Sequence, residues 1–152
     1  MAVYDTPAFS DPPKGFPLNF VYDTVKYTVG SSAIGTSDYI RVKMLPKGAQ
    51  MIPALCSVYA DADPDSANNL VLKLEITDGT TTKTLISASN FQAVDTRIGP
   101  SSADITGLNL FKTSNDDFYL KLTPTVGDLD AAAVIFVEIA YTNDPSRDAA
   151  IT

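Results

Sequence analysis

Leu70, Leu72, Leu74 and Ile76 alternate with Val71, Lys73, Glu75 and Thr77. This period of two gives one apolar face and one largely polar face, the mark of a half-buried strand. Asp78-Gly79 follows at once, and Thr80 to Ser87 resumes in strand-forming residues. Asp-Gly between two such runs predicts a hairpin, because a type I′ turn needs positive φ at both central positions. With a two-residue loop, Leu72 faces Leu85 and Val71 faces Ile86. The same register sets Leu74 against Lys83, which leaves room for a bulge or a one-residue shift near the turn.

Ile40, Val42 and Met44 alternate with Tyr39, Arg41 and Lys43, and Leu45-Pro46-Lys47-Gly48 then reads as a turn. Met51 to Tyr59 is expected as the return strand, with Pro53 pushing its start toward an edge or a bulge. Val25, Tyr27 and Val29 mark an earlier strand over Val21 to Val29. Phe118 to Thr123 and Asp130 to Thr142 are expected to form a late pair around Pro124 to Asp128. In the last strand Ala131, Ala133, Ile135, Val137 and Ile139 share one face, while Ala132, Val134, Phe136, Glu138 and Ala140 share the other. A strand apolar on both sides is central in a sandwich or covered by another subunit. Ser87 to Asn115 reads as a long loop with one helical turn at Ser89 to Ala93, and loops of that length usually contact something.

These elements predict an all-β fold, a β-sandwich or jelly-roll-like domain of about seven strands. Composition agrees. Sixteen of the eighteen acidic residues are Asp, and Thr is equally abundant; Asp favours turns and Thr a pleated surface. The first nineteen residues differ from the rest. Met1 to Asn19 carries Pro7, Pro12, Pro13, Gly15 and Pro17 with Tyr4, Phe9, Phe16 and Leu18. Proline-rich chain stays extended, so residues 1–19 are expected as an arm, 20–143 as the sandwich and 144–152 as a polar tail. The arm docks on a neighbouring subunit or wraps its own sandwich. Tyr4, Phe9, Phe16 and Leu18, with Val134 and Phe136, are the expected interface residues.

Charge and chemistry exclude more than they assign. Net charge is −7, which argues against a nucleic-acid surface. With no histidine and the single cysteine Cys56, Ser-His-Asp and Cys-His nucleophile pairs, Cys/His zinc sites and intrachain disulfides are excluded. No basic segment followed by an apolar run opens the chain, and its longest apolar stretch falls far short of a bilayer span, so neither signal peptide nor membrane anchor is expected.

Asp61-x-Asp63-x-Asp65 is the nearest approach to a metal loop. A calcium loop wants Gly at its sixth position and Glu at its twelfth, where Ser66 and Leu72 stand, so the expectation is a solvated turn and no metal or other cofactor. Asp116-Asp117 reads the same way. Glu75 and Glu138 could run glycoside hydrolysis only if brought together in an apolar pocket, and no tryptophan is present to stack a sugar. Gly30 to Gly35 lacks the Lys-Ser/Thr of a phosphate loop. Arg41 and Lys43 form a small basic strand face. No catalytic residue is expected.

The order of features carries a resemblance. A strand ending Val29-Gly30 leads through a polar loop to Ser37-Asp38-Tyr39-Ile40-Arg41-Val42, and then to Leu45-Pro46-Lys47-Gly48-Ala49. An Asp-rich turn, the strand Leu70 to Thr77 with Asp78-Gly79, and a last strand ending Ala140-Tyr141-Thr142 follow. Over most of Val25 to Thr142 this resembles the head decoration, or cement, proteins of tailed bacteriophages. The resemblance implies a sandwich that assembles as a homotrimer on the major capsid protein of a phage head. It also implies synthesis in the host cytoplasm, a final place in the virion, and no enzymatic activity. The alternative is a carbohydrate- or receptor-binding β-sandwich, such as a virion fibre or head-spike domain.

Overall fold

The computed structural model describes residues 1–5, 19–93, 96–108 and 111–143. Alternation places Leu120, Leu122 and Pro124 inward on one late strand, and Ile135, Val137, Ile139 and Tyr141 inward on the other. In chain order the strands are β1 (Val3–Asp5), β2 (Asn19–Thr28), β3 (Tyr39–Met44), β4 (Ala49–Met51), β5 (Ser57–Ala60), β6 (Val71–Thr77) and β7 (Thr82–Asn90). There follow β8 (Arg97–Ile98), the short helix α1 (Ser102–Gly107), β9 (Tyr119–Val126) and β10 (Val134–Asn143). One open sheet runs β1-β3-β9-β6-β7 and the other β2-β10-β5-β8, with β4 also paired to β10. Their inner faces share one apolar core, including Ile40, Leu72, Leu74 and Leu122 from the first sheet and Val25, Ile135 and Val137 from the second. This is an all-β, sandwich-like domain.

The chain changes sheet repeatedly, and that corrects the expected pairings. Phe118 to Thr123 and Asp130 to Thr142 do not pair with each other: β9 lies between β3 and β6, and β10 between β2 and β5. Each has an apolar inner face, and a sandwich buries both by setting them in opposite sheets. Pro124 stays within β9, and the turn begins only at Gly127, whose φ is +69°. The doubly apolar β10 is central, with neighbours on both sides.

Three local expectations also change. The hairpin forms, but Thr77 pairs with Thr82, so the loop is Asp78 to Thr81. The Asp78 carboxylate accepts from the Thr80 and Thr81 backbone at 2.9 and 2.6 Å, which closes a longer turn than Asp-Gly alone. Two register shifts then bring Leu72 opposite Ser89 rather than Leu85. Met51 to Tyr59 is no single strand: Pro53–Leu55 forms a 3-10 turn between β4 and β5. Ser89 lies within β7, which runs to Asn90, rather than starting a helix, and the helix is α1, where the N-cap Ser101 and Asp104 form a reciprocal capping box.

At the amino terminus, Val3 to Asp5 pairs in parallel with β3 and completes the edge of the first sheet. Asp5 takes two hydrogen bonds from Arg41 at 2.5 and 2.6 Å. A bulge in β3 after Arg41 breaks the expected alternation, so Arg41 and Lys43 do not share a face. Lys43 turns into the sandwich and meets Asp23 of β2 at 2.6 Å, joining the two sheets by an ion pair.

Candidate functional site

On β2 the odd positions Val21 to Val29 point inward, which leaves Phe20, Tyr22, Thr24, Lys26 and Thr28 exposed on the outer face. The register sets Lys26 beside Phe136 of β10, Phe136 beside Tyr59 of β5, and Tyr59 beside Arg97 of β8. The result is a straight row across four strands. The Tyr59 and Phe136 rings stack at 4.9 Å with 9° between planes. Arg97 lies 4.3 Å from the Tyr59 centroid, and Lys26 lies 5.8 Å from that of Phe136. A stacked pair adds about 0.5–1.5 kcal/mol and each exposed cation about 0.5–1.

Glu138, one step along β10, anchors this row. It accepts from the Ser57 hydroxyl at 2.6 Å, from Arg97 and from the Tyr22 hydroxyl. Arg97 also donates to Ser57 at 2.7 Å. The Ser57 hydrogen bond, with Arg97 beside it, holds the Glu138 carboxyl below the usual carboxylate range against the opposing effect of burial. Glu75 lies on the outer face of the other sheet, paired with Lys73 at 2.8 Å. The two glutamates therefore make no carboxylate pair.

Three loops meet at one tip of the sandwich. Ile34 bridges to Leu129, the Ala132 amide donates to Gly30, and the Asp130 amide donates to Pro64. These loops, 29–38, 61–70 and 127–133, hold Asp38, Asp61, Asp63, Asp65, Asp128 and Asp130 with no Lys or Arg. Elsewhere among the described residues eight acids face nine cations, so the net negative charge of the described residues sits at this tip.

The expected metal residues part company there. Asp65 is 1% exposed, and its carboxylate accepts the backbone N–H of Ala67, Asn69 and Leu70 at 3.0, 2.5 and 2.5 Å. Asp63 accepts from the Asp65 amide, and Asp61 and Asp63 are exposed. Among the described residues no group of three or more His, Cys, Asp or Glu is placed to hold a metal ion.

Of the expected interface residues, Val134 and Phe136 are half-buried on the outer face of the second sheet. Tyr4 is half-buried against the chain's own core. Phe9, Phe16 and Leu18 lie outside the described residues. Sequence reasoning missed Lys26, Tyr59 and Arg97. The outward alternation of Phe20 to Thr28 was a legible signal for Lys26; Arg97 sat in what read as loop. Cys56 is buried, its thiol pushed up to about 11 by burial, which suits an inert core side chain.

No family model and no curated protein matches the chain significantly. Among solved structures it is similar to a chain of the capsid of Ralstonia phage GP4, with TM-score 0.63 and 14% identity over 95% of this chain and 100% of that one. It is also similar to a chain of the cyanophage Pam1 capsid asymmetric unit, with TM-score 0.51 and 19% identity over 87% of this chain and 90% of that one. At these identities the likeness is one of architecture. This β-sandwich shares its fold, over most of its length, with chains of two phage capsids.

Proposed function

We propose that this chain is a virion structural protein that binds the outer surface of a phage head and stabilises it, assembling as a trimer on the major capsid protein. The observation that carries the reading is the extent of the shared fold: the GP4 capsid chain is covered from end to end. A head protein of this kind works through shape and contact, without a reaction or a cofactor. The surface suited to such contacts is the outer face of the second sheet. There Phe20 and Tyr22 are 57% and 52% exposed opposite Thr142 and Ala140, while Val134 and Phe136 stand half-buried toward the start of β10, and exposed apolar groups of this size favour protein contact. Val3 to Asp5 and Tyr4 belong to the chain's own sandwich, so in this reading the arm that grips a neighbouring subunit is narrowed to the segment after them, with Phe9, Phe16 and Leu18.

A sugar-binding module stacks its ligand on an open ring face. The row gives little support to that alternative at Tyr59 and Phe136, because the rings cover each other and a cation lies over the far side of each.

Co-sedimentation of the purified protein with phage heads lacking it tests the proposal. Saturable binding that raises the temperature at which heads release DNA is the expected result. A folded protein that leaves every head in the supernatant overturns it.

A further inference from the structure

Each open sheet has two edges, and an unpaired edge invites pairing with another chain unless it is short, bulged or covered. Three of the four edges here are protected. β1 and β8 are three and two residues long. β7 carries two register shifts, and α1 covers it, Asp104 accepting the Ser87 amide at 3.1 Å. β2 differs. It runs ten residues, pairs with β10 without a bulge, and contains neither Pro nor Gly.

The direction of its free backbone groups follows from β10. The Ala133 carbonyl accepts from Val29 on the β2 side, whereas the Val134 and Ala140 carbonyls accept from Asp61 and Ile52 on the opposite side. In an antiparallel ladder a residue's N–H and C=O point to one side and alternate along the strand. The β10 residues aimed at β2 are therefore Ile135, Val137, Ile139 and Tyr141, answered by Tyr27, Val25, Asp23 and Val21. Phe20, Tyr22, Thr24, Lys26 and Thr28 turn their N–H and C=O groups to the outer edge. Among the described residues no strand lies beyond that edge.

We propose that β2 pairs antiparallel with β2 of a second copy about a two-fold axis at Thr24, fusing the two second sheets into one. The strand is self-complementary in this register. Phe20 to Thr28 overlaps its own copy, Tyr22 faces Lys26 of the second copy as a ring–cation pair, and Thr24 faces Thr24. The register of equal overlap centred on Asp23 sets two carboxylates directly opposite, which is unfavourable. The chosen register also continues the existing row, because Lys26 already stands at its end beside Phe136. Such a contact is isologous and joins copies of the chain in pairs.

Sedimentation over a range of concentration tests this, with mass expected to double as concentration rises. Thr24→Lys places two ammonium groups across the axis, and Thr24→Pro removes an outward N–H at an edge position where proline is tolerated. Both are expected to keep the wild-type melting temperature and lose the doubling. Oxidised Thr24→Cys is expected to run as two linked chains on a denaturing gel, since directly opposed residues lie about 5.5 Å apart, within disulfide reach. Thr28→Cys, opposite Phe20, is expected to stay single. A wild-type protein that never doubles, a Thr24→Lys protein that still does, or Thr28→Cys linking as readily as Thr24→Cys overturns the proposal. Should an extended strand of another protein cover β2 instead, the purified chain stays undoubled and the proposal fails. Head binding that survives Thr24→Lys in a chain that never doubles would remove this contact and leave the shell reading standing.

Discussion

Replacing Asp65 by alanine separates a structural carboxylate from a metal ligand. The carboxylate accepts three backbone N–H groups, two of them at 2.5 Å. Hydrogen bonds to a charged group are worth about 1.5–3 kcal/mol, and a buried donor left without a partner costs about 1–3 kcal/mol. Leu70 is fully buried, so its amide takes that full penalty, while Ala67 and Asn69 are exposed and their amides regain water. The expected loss for Asp65→Ala is therefore about 3–4 kcal/mol. At about 2–4 °C per kcal/mol for a domain of this size, the melting temperature should fall by roughly 10 °C. Asp61→Ala and Asp63→Ala remove exposed carboxylates and are expected to stay within about 0.5–1 kcal/mol of wild type. Urea unfolding followed by circular dichroism, with and without calcium, reads all three. A loss below about 1 kcal/mol for Asp65→Ala, or a midpoint raised by calcium and insensitive to Asp65, refutes the reasoning.

Gly127→Ala is expected to cost about 2 kcal/mol, because its φ of +69° disfavours a side chain and a Cβ would meet Asn69 Oδ1 at 2.1 Å; Gly30→Ala, with nothing within 4 Å, is the matched control in the same melts. On the acid side, backbone hydrogen bonds lower Asp78 (from Thr81 and Thr80) and Asp130 (from Ser66), and the Ser57 bond lowers Glu138. At Asp104 burial pushes upward, but hydrogen bonds from Ser87 and Ser101 outweigh it. Groups lowered on folding stabilise above their unfolded values, so melting temperature should fall as pH drops below about 4. With no histidine, it should stay flat between about pH 6 and 8, and a rise on acidification contradicts this. Burial and the nearby Asp23 push the Tyr141 hydroxyl up to about 12. That contribution is complete below pH 10 and is lost as pH climbs toward 12, so Tyr141→Phe should flatten the alkaline limb of a melting series; an unchanged limb counts against it.

Much of the fold was legible because burial enforces a period of two. Leu70 to Ile76 and Ile135 to Ile139 each carry an apolar face that only a strand can present to one core. Sheet membership was not legible. The sequence places Phe118 to Thr123 near Asp130 to Thr142 along the chain, and short separation reads as pairing, whereas the two inner faces need opposite sheets. Pro53 was visible as an interruption, but not the 3-10 turn it produces. Ser101 and Asp104 were readable as a capping box, yet the Gly99-Pro100 before them pointed to loop. The outer row resisted sequence reasoning for a different reason: Lys26, Tyr59, Arg97 and Phe136 come from four segments and meet only through register.

The strands made last, β9 and β10, are interior strands of the two sheets. A nascent chain emerging from the ribosome thus holds β3, β6, β2 and β5 before the partners that join them exist, and neither layer can close early. Such long-range pairing folds slowly compared with local structure, and the incomplete chain exposes several unpaired borders at once. Synthesis of this protein should therefore show all-or-none maturation: fragments stopped before Tyr119 stay protease-sensitive, and resistance arrives in one step after the final strand is released.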